Sequence, residues 1–464
     1  MGSHVIILVA IGICLTMLRP PLLGGLSAPG PWVWPLLVLY VGIGAGLAIL
    51  ACRAGLRGAE GDVRQFRRHQ RLTAVGQLYL LGGLAVVLDA GYARWIIESA
   101  GLWRVPLADE AAGLAPFLVA LVLGWLLTYP CFLRQRLRIL EREMQAGRIT
   151  RPPWTLREYL DYNTRHQLLF ILVPVGLILL GSDLLELLLA PHLSEGTAEV
   201  VISAGSAVVA GIVFLMTPLL VARIWRTRPL EDGPLRQGLM QMCRRMGVGS
   251  RDILVWLTGG MIANAAVMGL LAPLRYVLIS DMVLEHLDRR QVESVFAHEA
   301  THISQRHILY SLLFAFASAV LTMAAAAGVA FVLHLGEHVE QSLSLALLVL
   351  AWAFGYGWIS RRLERQSDVW SAWAMSDDPV AVQQKLITLE GAILFATSLQ
   401  RIAHLSGLQP NQRNWRHGSV ASRCQHVLSL GTMGDSRSRV DRTVKRIKIG
   451  LWAASAAAIA LLVI

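Results

Sequence analysis

Residues 295–307 read VFAHEATHISQRH, and the rest of the chain is best understood outward from this stretch. On a helix, His298 and His302 stand four residues apart, so their rings project from one face, one turn apart. Two neutral imidazoles in that arrangement can share a Zn²⁺, and the intervening Glu299 can then act on a water beside it. The competing interpretation is an ordinary polar helix end at a membrane surface, in which Arg306 and His307 are unremarkable. The spacing suggests the metal without deciding it.

The composition around the motif is that of a membrane protein. Of 464 residues, 55% are hydrophobic and only 16% charged, with a mean hydropathy of +0.53. A soluble fold cannot cover that much apolar surface, so long stretches must face lipid. The net charge of +11 rests on 39 Arg and only 3 Lys. In a soluble chain this balance points to nucleic acid. Here the arginines sit between apolar runs, where they set membrane orientation, and no nucleic-acid partner is expected. Five scattered cysteines (Cys14, Cys52, Cys131, Cys243, Cys424) form no CxxC pair, which excludes a thiolate zinc site and a disulfide framework. The first apolar run has no Lys or Arg before it, so it is expected to be a retained anchor rather than a cleaved signal.

A helix needs roughly 20 apolar residues to cross a bilayer. Runs of that kind fall at about 5–19 (short), 32–52, 72–90, 113–132, 166–190, 198–222, 309–333 and 342–360, with a short terminal run at 449–464. Loop 53–71 holds six arginines and loop 133–165 holds eight, whereas the alternating connections at 20–31, 91–112, 191–197 and 334–341 hold two between them. The arginine-rich loops are therefore expected on the cytoplasmic side. Counting onward puts 223–308 and 361–448 on the same side. Asp89, Asp183 and Glu186 lie near the outer ends of spans, where anchoring at the interface, with Arg94 as a partner for Asp89, is a simpler role than an ion path.

Segment 226–308 reads as folded. PLRQGLMQMCRRM (234–246) has the pattern of an amphipathic helix, and DILVW, MIANAAVMG and RYVLIS are short β-rich runs separated by Gly-Gly and Pro. Asp288 with Gln291 resembles a capping box, opening a helix that runs through the motif into the next span. Ile262–Val267 is expected as a strand ahead of that helix, with an edge that an extended peptide can join.

Catalytic zinc keeps three protein ligands and one open position. SRRLERQSD (360–368) offers Glu364 and, four residues on, Asp368. On a helix both face the same way, so Glu364 can ligate while Asp368 holds the N–H of a ligating histidine. A charged patch beside a membrane would look similar. Topology favours the metal, because two spans return this carboxylate to the face that carries the histidines. HLGEH (334–338) matches the inverted HxxEH pattern, but it lies in an arginine-free outer turn with no evident third ligand and is set aside. RNWRHGSVASR (413–423) places His417 six residues before Arg423, and spacing alone makes His417 no more than a loop histidine.

Taken together, these motifs resemble the integral-membrane zinc endopeptidases that include HtpX and the CAAX prenyl endopeptidases. The matching residues are Asn264-Ala265, RYVLIS, His298-Glu299-Ala300-Thr301-His302, two spans, Glu364 with Asp368, and His417 with Arg423, over roughly 230–430. The resemblance implies one Zn²⁺ held by His298, His302 and Glu364, with Glu299 as catalytic base. It also implies that Asp368 supports a ligand, that Asn264 and His417 contact the substrate backbone or the oxyanion, and that Arg423 supports the His417 segment. Thr301, Ser367 and Gly418 depart from the family, which usually has a small residue, Ala and Pro there.

The resulting expectation is a mainly α, polytopic membrane protein with a cytoplasmic α+β, zincin-like domain carrying a small sheet. Its parts are an N-terminal membrane domain of about six spans (1–225), a first catalytic part (226–308), a transmembrane hairpin (309–360), a second catalytic part (361–448) and a C-terminal apolar helix (449–464). It would cut membrane-associated or misfolded proteins presented as extended peptides, with the lipid bilayer as its other partner. The arginine-heavy, lysine-poor usage points to a bacterial inner membrane. Alternatives are a membrane sensor metalloprotease, which would want a larger outer domain, a catalytically inactive scaffold, and a transporter.

Overall fold

A computed structural model describes residues 3–18, 28–59, 62–147 and 151–463. It divides into two compact units, Met1–Arg226 and Thr227–Ile464. The first is helical: α1 (Ser3–Met17), α2 (Val33–Ala59), α3 (Val63–Val87), α4 (Ala108–Gln145), α5 (Leu156–Asn163), α6 (Phe170–Leu189) and α7 (Glu195–Ile224). Its core gathers Ile6, Ile7, Leu84, Leu88, Ile96 and Phe117, each with almost no surface left exposed. Across the described residues of both units, seven helices are long and apolar enough to cross a membrane. The chain is an integral membrane protein.

Helices overrun the apolar runs. The arginine-rich stretch 53–71, expected as a loop, is mostly the end of α2 and the start of α3, where Asp62 accepts hydrogen bonds from the N–H groups of Arg64 and Gln65. Stretch 133–165 likewise continues α4 to Gln145 and reopens as α5 behind a Thr155–Glu158 capping box. Arg, Leu and Gln are good helix formers, so a helix leaving the bilayer has no reason to stop at the headgroups. Where the sequence places acidic residues at span ends, Arg94 forms an ion pair with Glu98 at 3.0 Å, and Asp183 accepts a hydrogen bond from the N–H of Leu107 at 3.2 Å.

The second unit is α+β. A four-stranded sheet has the order β1 (Thr227–Pro229), β2 (Asp252–Trp256), β4 (Tyr276–Ser280), β3 (Ala265–Met268). β2 and β4 are parallel, while β1 and β3 run antiparallel at the two edges. The central strands are apolar along nearly their whole length and buried on both faces, as strands covered on both sides should be. β3 begins at Ala265, later than the expected Ile262. Met261 and Ala263 are buried ahead of it, and the ladder starts only where Asn264 O accepts the N–H of Ser280 at 3.0 Å. The turn to β4 needs Gly269, whose φ is +107° and where a Cβ would lie 2.8 Å from the Arg275 backbone.

Helices α8 (Pro234–Arg245), α9 (Asp281–His286) and α10 (Arg289–Ser304) surround the sheet. α11 (His307–Leu333) and α12 (Glu337–Leu350) form the apolar hairpin, and a π-turn at 351–356 leads without a stop into α13 (Gly357–Ala374). α14 (Pro379–Gln384), α15 (Leu389–Leu405), α16 (Val420–Met433) and α17 (Ser438–Val463) complete the unit. The apolar run expected at 449–464 is thus the second half of a helix that starts at Ser438. One core joins Ile253, Val277 and Ile279 of the sheet to Val292, Phe296 and Ala300 of α10, and to Trp373 of α13.

A candidate metal centre in the second unit

α10 begins where the sequence predicts. The Asp288 carboxylate accepts from the N–H of Gln291 at 2.9 Å, and Gln291 Oε1 accepts from the N–H of Asp288 at 3.2 Å. Such a reciprocal cap stabilises a helix by about 1 kcal/mol. Val292, Phe296, Ala300 and Ile303 face the core, and Phe296 is fully buried, a contribution of about 1.5–3 kcal/mol. Those anchors leave His298, Glu299 and His302 lining a cleft of about 660 Å³. The helix does not run on into the span as expected. It ends at Ser304, and Arg306 takes a left-handed conformation (φ +56°) before α11 starts.

Glu364 and Asp368 project from α13 toward α10. His298 Nε2 lies 3.6 Å from Glu364 Oε2 and His302 Nε2 lies 3.8 Å from Glu364 Oε1. The two imidazole Nε2 atoms are 3.4 Å apart. These three residues are the one metal-competent cluster among the described residues, with donor atoms all within 4.8 Å. Asp368 Oδ1 stands 3.1 Å from His298 Nδ1, off the line of a full hydrogen bond. Arg423, in the first turn of α16, donates from Nε to Asp368 Oδ2 at 2.9 Å and from a terminal nitrogen to Oδ1 at 2.5 Å. It also reaches Glu364 Oε2 at 3.4 Å.

His417 sits on the loop before α16, its Nδ1 3.0 Å from Glu364 Oε1. That loop is pinned from both sides. Asn414 Oδ1 accepts from the Arg416 N–H at 2.9 Å, and Arg361 of α13 donates to the Trp415 carbonyl at 2.6 Å. Gly418 donates its N–H to the Asn414 carbonyl at 2.8 Å with φ +79°. Proline, with φ fixed near −65° and no N–H, cannot fill that position. Asn264 and Ala265 line the same cleft from the sheet edge. Thr301 is fully buried, its hydroxyl donating to the Ala297 carbonyl at 2.8 Å. Ser367 is also fully buried, and its Oγ has no hydrogen-bond partner.

The electrostatics are set by burial and by the mutual contacts of these groups. Burial opposes charge on His298, but Asp368 and Glu364 outweigh it and hold its imidazole pKa up to about 10. Burial pushes His302 down to about 4. Glu299 is pushed up to about 7 by burial, with His298 and Arg423 opposing and Glu364 adding to the rise. Three acidic side chains thus face one guanidinium and a proton held by His298.

His307 escaped the motif reading. It lies beyond the helix break, where no periodicity relates it to His302, yet its Nδ1 is 3.0 Å from His302 Nδ1. The inverted motif falls across another break. His334 takes a left-handed conformation after α11, and Glu337 and His338 open α12, with side chains outside the described residues.

Residues 229–409 match the description of peptidase family M48. This segment is similar to peptidase family M48. A "Protease HtpX homolog" from Kineococcus radiotolerans is 28% identical over 182 residues, which is 37% of this chain and 61% of the relative. The match therefore spans about three fifths of that relative's length. Among solved structures, the crystal structure of S. mikatae Ste24p aligns with a TM-score of 0.49 and 16% identity, over 86% of this chain and 100% of that one. The M48 match ends at residue 409, so His417 and Arg423 lie past it and join the domain's histidines through the fold.

Proposed function

We propose that this chain is a membrane-embedded, zinc-dependent endopeptidase, with His298, His302 and Glu364 holding one Zn²⁺. The observation that carries the reading is the convergence of two imidazole Nε2 atoms, 3.4 Å apart, on one carboxylate, with Glu364 Oε2 3.6 Å from His298 Nε2 and Glu364 Oε1 3.8 Å from His302 Nε2. Ligands bound at Zn–N and Zn–O distances of about 2.0–2.2 Å in a tetrahedron stand roughly 3.3–3.6 Å apart, so the residues fit the ion with small adjustments. Zinc, when bound, supplies a Lewis acid for the scissile carbonyl and lowers the pKa of an attacking water.

Glu299 accepts that water's proton and passes it to the leaving amine, a role suited to a carboxyl already raised toward neutrality. His417 is 41% exposed and donates to the oxyanion from the cleft side. Arg423 and Asp368 hold the orientation of His298 and Glu364. Peptide enters as a strand beside β3, guided by Asn264 and Ala265. Ladder bonds alternate along an antiparallel strand. Since Asn264 O is bonded to β4, Ala265 and Val267 turn their N–H and C=O to the free edge.

The arginine distribution supports a cytoplasmic site, and the arginine-heavy usage supports a bacterial inner membrane. Membrane-associated or misfolded proteins are the substrate class that suits a site beside apolar helices. The test is zinc content measured together with cleavage of a general peptide substrate. Wild type is expected to hold one zinc and cleave; Glu299→Gln is expected to hold zinc and lose at least about 100-fold in rate. Retained cleavage in that variant rules out Glu299 as the base.

A further inference from the structure

The second nitrogen of each candidate ligand histidine has to be accounted for, because it sets the tautomer and aim of the ring. For His298 the partner is a carboxylate, Asp368. For His302 it is another imidazole. His302 turns Nε2 toward His298 and Glu364, leaving Nδ1 to meet His307 Nδ1 at 3.0 Å. His307 is 3% exposed, and its Nε2 lies 3.0 Å from Gln366 Oε1. Gln366, 2% exposed, donates from Nε2 to Asp441 Oδ1 at 2.6 Å. Trp370 Nε1 donates to the same oxygen at 2.8 Å.

Only one assignment of protons satisfies this series. A metal on His302 Nε2 requires the proton on Nδ1. His307 must then accept at Nδ1 and donate at Nε2, which demands the oxygen of Gln366 and leaves its amide N–H groups for a carboxylate. Asp441 ends the chain as a fixed acceptor. Every donor meets an acceptor, and the tautomer of His302 is set from α17 through two buried side chains.

Resting on the zinc reading above, we propose that His307 is a positioning residue for the metal ligand His302, and that α17 holds it in that role through Gln366 and Asp441. The left-handed turn at Arg306 is what brings His307 back over His302. That turn is itself tied to α17, because Lys448 donates to the Gln305 carbonyl at 2.6 Å. Asp441 thereby acts on the metal site without touching metal or substrate.

The test uses the purified full chain and zinc alone, with affinity read by chelator competition and the melting point of the metal-free form read in parallel. His307→Phe keeps a ring and removes both polar atoms; it is expected to weaken zinc roughly 10- to 100-fold. His307→Gln retains an acceptor and a donor and is expected to stay within about threefold of wild type. Asp441→Leu, should the Phe variant not fold, is expected to weaken zinc by roughly 3- to 10-fold with little change in the metal-free melting point. Wild-type affinity in His307→Phe or in Asp441→Leu overturns the proposal. So does a Gln variant as weak as the Phe variant, which would make His307 a packing residue only. If wild type itself takes up no stoichiometric zinc, and Glu364→Ala behaves identically, the metal reading fails and takes this proposal with it.

Discussion

Thr301 stands in the middle of the motif where a small residue is usual, and its environment explains how the branch is accommodated. The side chain is fully buried, and its hydroxyl returns to the Ala297 carbonyl at 2.8 Å within the same helix. Thr301→Gly removes packed atoms and adds backbone freedom, so a loss of about 1–2 kcal/mol in stability is expected, with zinc stoichiometry unchanged. Thermal unfolding with and without zinc measures both. His298 carries the second prediction at this scale. Its pKa near 10 in the metal-free site means that it is protonated at neutral pH, whereas a ligating imidazole must be neutral. Zinc binding at pH 7 is therefore expected to release about one proton, increasingly favoured as pH rises. Calorimetry in buffers of different ionisation enthalpy reads this number, and a value of zero would place the proton elsewhere. The i, i+4 spacing in HExxH and ExxxD marks each pair as a candidate on one helix face, and topology is what brings the two motifs to one side. His307 is not so marked, because its relation to His302 runs through a break.

Elements show the same division. The capping box at Asp288 and the run of short strands were readable, since caps and turns are local chemistry. The end of α10 was not. Nothing in SQRH forces a helix to stop, and a non-glycine left-handed residue costs about 1–2 kcal/mol. Arg306 is held there by tertiary bonds such as Lys448 to the Gln305 carbonyl. β3 supplies a test of peptide docking. Ala265→Pro removes an N–H that faces the free edge, where proline is tolerated. It is expected to raise KM several-fold, as loss of one hydrogen bond of about 1 kcal/mol implies, with kcat less affected. Ala266→Pro removes a bond to β4 and is expected to lower stability instead. Equal kinetic effects from the two would argue against strand addition at this edge.

At the scale of the molecule, seven apolar helices were visible as hydrophobic runs because lipid demands about 20 apolar residues per crossing. The helices extend beyond those runs, since apolarity marks the bilayer and not the helix. The arginine bias predicts that cysteines introduced at 230–233 react with a membrane-permeant but not an impermeant reagent in intact cells, while cysteines at 191–194 react with both. The reverse pattern would put the candidate site on the outer face. Local periodicity and composition are sufficient to define the membrane class, the histidine pair and the capped start of α10, because each depends on neighbours a few residues away. The His417 loop, the Arg423–Asp368 pair and the relay from His302 to Asp441 depend on contacts such as Arg361–Trp415, Asp368–Arg423 and Gln366–Asp441, which are 54, 55 and 75 positions apart. Such contacts arise only when packing of α10, α13, α16 and α17 sets their distances, and no spacing rule extends that far.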